Sequence, residues 1–150
     1  MTLKKTFRIK MLFFTTLLFV LQSCIKKENE AITKYYKASK GDSIGYLTLV
    51  LTKHHFKGEY EIRYGRLGKD SGAVRGKRIG DTLKGDFCYR SYGGGIIRKP
   101  FVLLTDKENL KLGSGVIATY LTIPFYVKGT LEFNDSDFLF SRIEKEKLRK

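Results

Sequence analysis

Gly41-Asp42-Ser43-Ile44-Gly45 offers the first candidate chemistry in this chain. It matches G-x-S-x-G, in which the serine becomes a nucleophile once a histidine takes its proton. The chain's two histidines, His54 and His55, stand close behind that serine, and no Asp-x-x-His arrangement follows near the carboxyl end. A nucleophile elbow also needs a strand, a turn and then a helix, whereas the residues after Ser43 alternate like a strand. A hairpin turn is therefore the reading. Nor do His54 and His55 suggest a metal site. Neighbours on a strand point to opposite faces, and no cysteine or acid cluster stands at ligand spacing. Gly93-Gly94-Gly95 and Gly72 to Gly76-Lys77 fail as phosphate loops: Arg98 stands where the first needs glycine, and the second has the wrong spacing. No helix is expected after either. With no complete set of acid, base and nucleophile, the chain is not expected to be an enzyme or to carry a cofactor or metal.

Two features remain. One is a basic segment, in which Arg63, Arg66, Lys69, Arg75, Lys77, Arg78 and Lys84 face only Asp70 and Asp81. A hairpin gathering Arg63, Arg66, Arg75, Lys77, Arg78 and Lys84 beside Tyr64 makes an anion-binding patch. The other is the pair of cysteines. Cys88 has no Cys-x-x-Cys neighbour and no activating partner, so packing within a strand is its expected role. The surroundings of Cys24 differ.

Met1 to Lys10 is basic, Met11 to Leu21 is an apolar run (MLFFTTLLFVL), and a charged stretch begins at Lys26. This is the layout of a secretory signal. The apolar run is too short to span a bilayer, which takes about 20 residues. Leu21-Gln22-Ser23-Cys24 resembles the bacterial lipobox, with Gln22 where a smaller residue is commoner. The resemblance implies cleavage between Ser23 and Cys24 and a diacylglycerol on the Cys24 thiol, with a further acyl chain such as palmitate on the new amino group. Two or three chains anchor firmly, since each buried methylene contributes about 0.8 kcal/mol. Lipidation of Cys24 leaves Cys88 without an internal disulfide partner. Residues 1–23 are then the signal peptide, 24–32 a lipidated tether, 33–143 the folded domain and 144–150 a charged tail.

The elements that position these groups read as strands. Leu47, Leu49 and Leu51 share one face. So do Gly58, Tyr60, Ile62 and Tyr64, with Glu59, Glu61 and Arg63 opposite. Leu83, Gly85, Phe87 and Tyr89 share a third, with Asp86, Cys88 and Arg90 opposite. Period-two alternation indicates half-buried strands. Eleven Phe, nine Tyr, fifteen Gly and only two Pro fit that reading. Arg66–Gly72 reads as a polar loop, Ala73–Ile79 as a strand, Leu110–Thr122 as one or two strands, and Tyr126–Phe133 and Phe138–Ile143 as the last. The chain is thus expected to be all-β, a small antiparallel lipocalin-like barrel or sandwich of about eight or nine strands. Glycines 58, 76, 85 and 113 would mark bulges or sharp bends.

The domain also resembles an uncharacterised family of small Bacteroidota β-barrel lipoproteins. The likeness lies in Ser71-Gly72-Ala73-Val74-Arg75-Gly76, in Gly80-Asp81-Thr82-Leu83-Lys84-Gly85-Asp86-Phe87 with Ser91, and in Leu112-Gly113-Ser114-Gly115. It implies a barrel in the cell envelope and carries over no activity.

Charge narrows the partners. Net charge is +14, and Lys4, Lys5, Arg8 and Lys10 precede Cys24 with no acid among them, so the lipidated chain keeps about +10. That balance favours anionic partners: anionic lipid, lipopolysaccharide or acidic glycan. Nucleic acid fits the charge and conflicts with the location. The expected protein is an envelope lipoprotein, anchored to the outer membrane on its periplasmic or surface face. Its barrel is a non-catalytic binding module for an apolar ligand inside or an anionic ligand outside. The alternative is a structural or inhibitory protein-interaction lipoprotein, resembling membrane-bound lysozyme inhibitors. Against basic lysozymes that role suffers from like charge.

Overall fold

A computed structural model describes residues 30–134 and 138–148. The expected signal segment, Ser23, Cys24 and most of the expected tether lie outside the described residues.

The alternating runs become ten strands: β1 (Ile32–Lys40), β2 (Ser43–Leu51), β3 (His55–Tyr64), β4 (Lys69–Ile79), β5 (Thr82–Arg90), β6 (Ile96–Asp106), β7 (Asn109–Leu112), β8 (Ile117–Tyr120), β9 (Ile123–Tyr126) and β10 (Leu139–Ile143). Strands β1 to β7 form an antiparallel meander. β10 then pairs with both β7 and β1, closing an eight-stranded barrel. β8 and β9 form a separate hairpin inserted between β7 and β10. The chain is an all-β barrel, not an open sandwich.

Eight strands leave an interior just wide enough for side chains to fill. Here the filling is aromatic. The Tyr60 ring centroid lies 4.9 Å from Phe87, 5.5 Å from Phe101 and 5.6 Å from Phe140, and all four residues are buried. Leu47, Leu49, Val74, Leu83, Leu103 and Leu110 complete the core, so the expected apolar faces of β2, β3 and β5 do point inward. The barrel's centre is occupied by its own side chains.

The strand glycines are not bulges. Every ladder from β2 to β6 keeps an uninterrupted register, for example Ser43↔Tyr64 through Leu51↔Phe56. Gly76 and Gly85 are direct partners across β4 and β5. A Cβ on Gly76 would lie 2.6 Å from the Gly85 Cα and would overlap the Lys84 carbonyl oxygen outright. The two strands coil so tightly here that no side chain fits between them.

Several expectations need correction. β4 begins at Lys69, and the supposed loop 66–72 shrinks to a turn around Gly65 and Gly68, where Tyr64 N–H donates to the Gly68 carbonyl at 2.9 Å. Both glycines have positive φ, which sets a tight turn. The expected strand Tyr126–Phe133 is absent. β9 ends at Tyr126, and the residues after it form no strand beyond the isolated Ser114↔Glu132 bridge until β10. The hairpin turns at Leu121 and Thr122, with φ of 46° and 66°, a conformation that Thr rarely signals. The charged tail forms a 3₁₀ turn at Lys145–Leu148.

Candidate anion-binding groove

The continuous registers line up outward-facing residues across neighbouring strands. His55 lies opposite Lys77, and Lys77 opposite Lys84. In the next row Lys57 lies opposite Arg75, and Arg75 opposite Asp86. Together with Val50, Thr52 and Ile79 these residues line a groove of about 730 Å³ on the barrel's outer wall. Gly76 and Gly85 form its floor, with the edge of Phe56 showing between them.

The groove is electrostatically one-sided. Its single acid, Asp86, accepts a 2.7 Å hydrogen bond from Nη2 of Arg98, one strand away. Lys57, Arg75, Lys77 and Lys84 make no ion pair with any described residue. Lys77 directly opposite Lys84 is a cross-strand pair of like charges, which costs stability unless something else requires it.

The six residues expected to form one patch divide. Arg75, Lys77 and Lys84 come together in the groove. Arg63 stands elsewhere on the β3 wall, 4.9 Å above the Tyr46 ring, and its Nε donates to Glu61 at 2.6 Å. Lys69 also binds Glu61, at 2.8 Å. Burial raises the Glu61 pKa, but hydrogen bonds from Lys69 and Arg63 outweigh it and hold the carboxyl below its ordinary value. Arg66 sits in the β3–β4 turn, away from the groove. Arg78 falls on the inward phase of β4 and reaches a barrel mouth beside Leu51, Leu83 and Lys53. Lys57 and His55 were missed, although the alternation that assigned Glu59 and Glu61 outward extends back to both.

A second crevice, of about 530 Å³, opens from the same place. Lys84, Gly85 and Asp86 line both spaces. Its walls are Pro100 and Val102 of the barrel and Ile123, Pro124, Phe125, Val127 and Leu131 of the inserted segment, with Lys128 at its edge. Val102 points away from the barrel interior, yet only 1% of it is exposed.

At one barrel mouth sits Asp70, the sole buried charged residue among those described. Its Oδ2 accepts from the Tyr64 hydroxyl at 2.8 Å and its Oδ1 from the Tyr92 N–H at 2.9 Å. Nearby, Nζ of Lys99 lies 5.1 Å from the Tyr89 ring centroid and 5.6 Å from that of Phe87. Burial lowers the Lys99 pKa, with Asp70 partly opposing.

The other expected motifs stay apart. Ser43 opens β2, whereas His54 and His55 lie beyond its far end, roughly 26 Å away at about 3.3 Å per residue. Gly93–Gly95 is a loop in which Gly94 and Gly95 have positive φ. Cys88 is exposed on the outer face of β5 rather than packed. Among the described residues no group of His, Cys, Asp or Glu is arranged to hold a metal. Comparison with protein-family models, with curated proteins and with solved structures finds no match to this chain.

Proposed function

We propose that this chain is a cell-envelope lipoprotein, lipidated on Cys24 after cleavage behind Ser23, whose barrel is a non-catalytic module that binds an anionic envelope ligand in its outer groove. The observation that carries the reading is the groove itself: Lys57, Arg75, Lys77 and Lys84 converge there without ion-pair partners, and its one acid is engaged by Arg98. Uncompensated cations in a concave wall focus a field that draws anions. The packed interior argues against an apolar ligand inside the barrel, so the surface version of the binding role is the one retained. A structural or inhibitory interaction with another protein has no comparable feature behind it beyond the exposed apolar residues of the β8–β9 hairpin.

The test uses isotope-labelled full chain held in phosphatidylcholine nanodiscs and titrated with inorganic phosphate. Saturable shifts should centre on Lys57, Arg75, Gly76, Lys77 and Lys84, and Arg75→Glu should abolish them. Shifts of equal size at Arg66 and Lys145 would mean diffuse charge attraction and would end the groove reading. The anchor is tested separately with a palmitate analogue. Wild type should take up the label and Cys24→Ala should not; equal labelling of the two would remove the lipoprotein assignment.

A further inference from the structure

We infer that the groove and the adjoining crevice form one site for an anionic amphiphile, with the acidic head among Lys57, Arg75, Lys77 and Lys84 and an alkyl chain beneath β9. This rests on the anion-binding reading of the groove and adds the ligand's other half. The two spaces meet at Lys84, Gly85 and Asp86. A ligand crossing that junction passes from four unpaired cations to a wall of Pro100, Val102, Ile123, Pro124 and Leu131. Both volumes fall in the range of small-molecule sites, roughly 300–1,000 Å³.

The inserted hairpin has an asymmetry that fits this role. Pro124, on its barrel side, is buried, while Ile123 on the crevice rim is 52% exposed. Apolar surface is therefore left open next to a cationic cluster. A free anion such as inorganic phosphate would use only the first space, and a neutral alkyl compound only the second. A molecule carrying both properties uses the charge and the apolar wall together. Because Asp86 is tied to Arg98, the junction presents Lys84 rather than a carboxylate to the head group. Lys128 supplies a second cation at the crevice edge.

Three probes separate the contributions in the same nanodisc preparation: inorganic phosphate, octyl phosphate and octyl glucoside. Octyl phosphate should bind at least tenfold tighter than either of the others. Its shifts should extend from Arg75 and Lys84 to Val102, Ile123 and Tyr126. Ile123→Asn, at an exposed position where folding is not at stake, should weaken octyl phosphate at least fivefold and leave inorganic phosphate unchanged. Lys84→Gln should weaken both phosphates. Equal affinity for the two phosphates, with crevice signals still, would overturn the amphiphile inference while leaving the anion groove standing. Octyl glucoside binding as tightly as octyl phosphate would also overturn it, since charge would then play no part. No groove response to any probe would end both readings.

Discussion

The hydroxyl of Tyr64 donates a 2.8 Å hydrogen bond to Oδ2 of Asp70, joining the last residue of β3 to the second residue of β4 across their turn. The same carboxylate also takes the Tyr92 N–H, so one buried acid fastens β3, β4 and the β5–β6 loop together. Removing one partner of a buried charged hydrogen bond leaves the other desolvated and unsatisfied, at about 1–3 kcal/mol. Tyr64→Phe should therefore cost about 1–2 kcal/mol and Asp70→Ala about 2–3 kcal/mol. The double variant should fall short of the sum, because the two share one interaction. Urea unfolding of all four proteins measures this, and strict additivity would show that the bond contributes nothing.

Gly76→Ala should be far more damaging than its modest chemistry suggests. The new methyl would collide with the backbone of β5, which cannot yield without breaking the β4–β5 ladder. A loss of at least about 3 kcal/mol is expected, in the range of severe overpacking. Gly93→Ala, where a Cβ meets nothing closer than 3.8 Å, is the control and should shift the urea midpoint little.

Stability should pass through a maximum near pH 10. Burial lowers the Lys99 pKa from its ordinary 10.5. The folded state thus gives up that proton before the unfolded chain does, and stability rises with pH up to about 10.5. Burial raises Tyr60, Tyr64 and Tyr89 above their ordinary 10.0, with Asp70 adding to each. The unfolded chain loses these protons first, so stability falls as pH climbs beyond 10. Lys99→Met should flatten the rise, and Tyr60→Phe should soften the fall. Midpoints measured from pH 7 to 11 decide it; a steady decline from pH 7 in both wild type and Lys99→Met would contradict the account.

Tyr60→Phe should also leave stability at neutral pH unchanged or raise it by about 1 kcal/mol. The Tyr60 hydroxyl is buried and makes no hydrogen bond, so its deletion removes a desolvation cost and no contact. Thermal unfolding gives the answer, and a loss above about 1 kcal/mol would imply a partner for that oxygen.

The strand faces were legible in the sequence because alternation is a local signal. Leu47, Tyr60 and Phe87 could be placed inward from their own neighbours. The groove was less so, because it depends on register between strands. Reading 66–72 as a loop displaced the start of β4 and hid the fact that Lys57 faces Arg75 and His55 faces Lys77. Counting charges by sequence proximity then joined Arg63, Arg66 and Arg78 to a patch from which pleat and turn separate them. The sequence marks Asp70 only as one of two acids in the basic segment, since nothing local shows that Tyr64 and the Tyr92 N–H surround it. β8 falls within the run Leu110–Thr122 expected as one or two strands, but its pairing with β9 was not legible: the turn uses Leu121 and Thr122 in left-handed conformations, without the glycine or asparagine that ordinarily gives such turns away.

The seam between β1 and β10, where Tyr35 meets Ile143 and Lys37 meets Ser141, bears on how the molecule is made. Partners more than a hundred positions apart must find each other before the wall becomes continuous. Until β10 arrives, β1 and β7 are open edges and the Tyr60, Phe87 and Phe101 rings lack the Phe140 side of their enclosure. Such late, distant pairing makes for slow folding and an exposed intermediate. A chain emerging in synthesis order therefore spends most of its synthesis as an unsealed sheet, and an escort that shields aromatic surface would protect it through that interval.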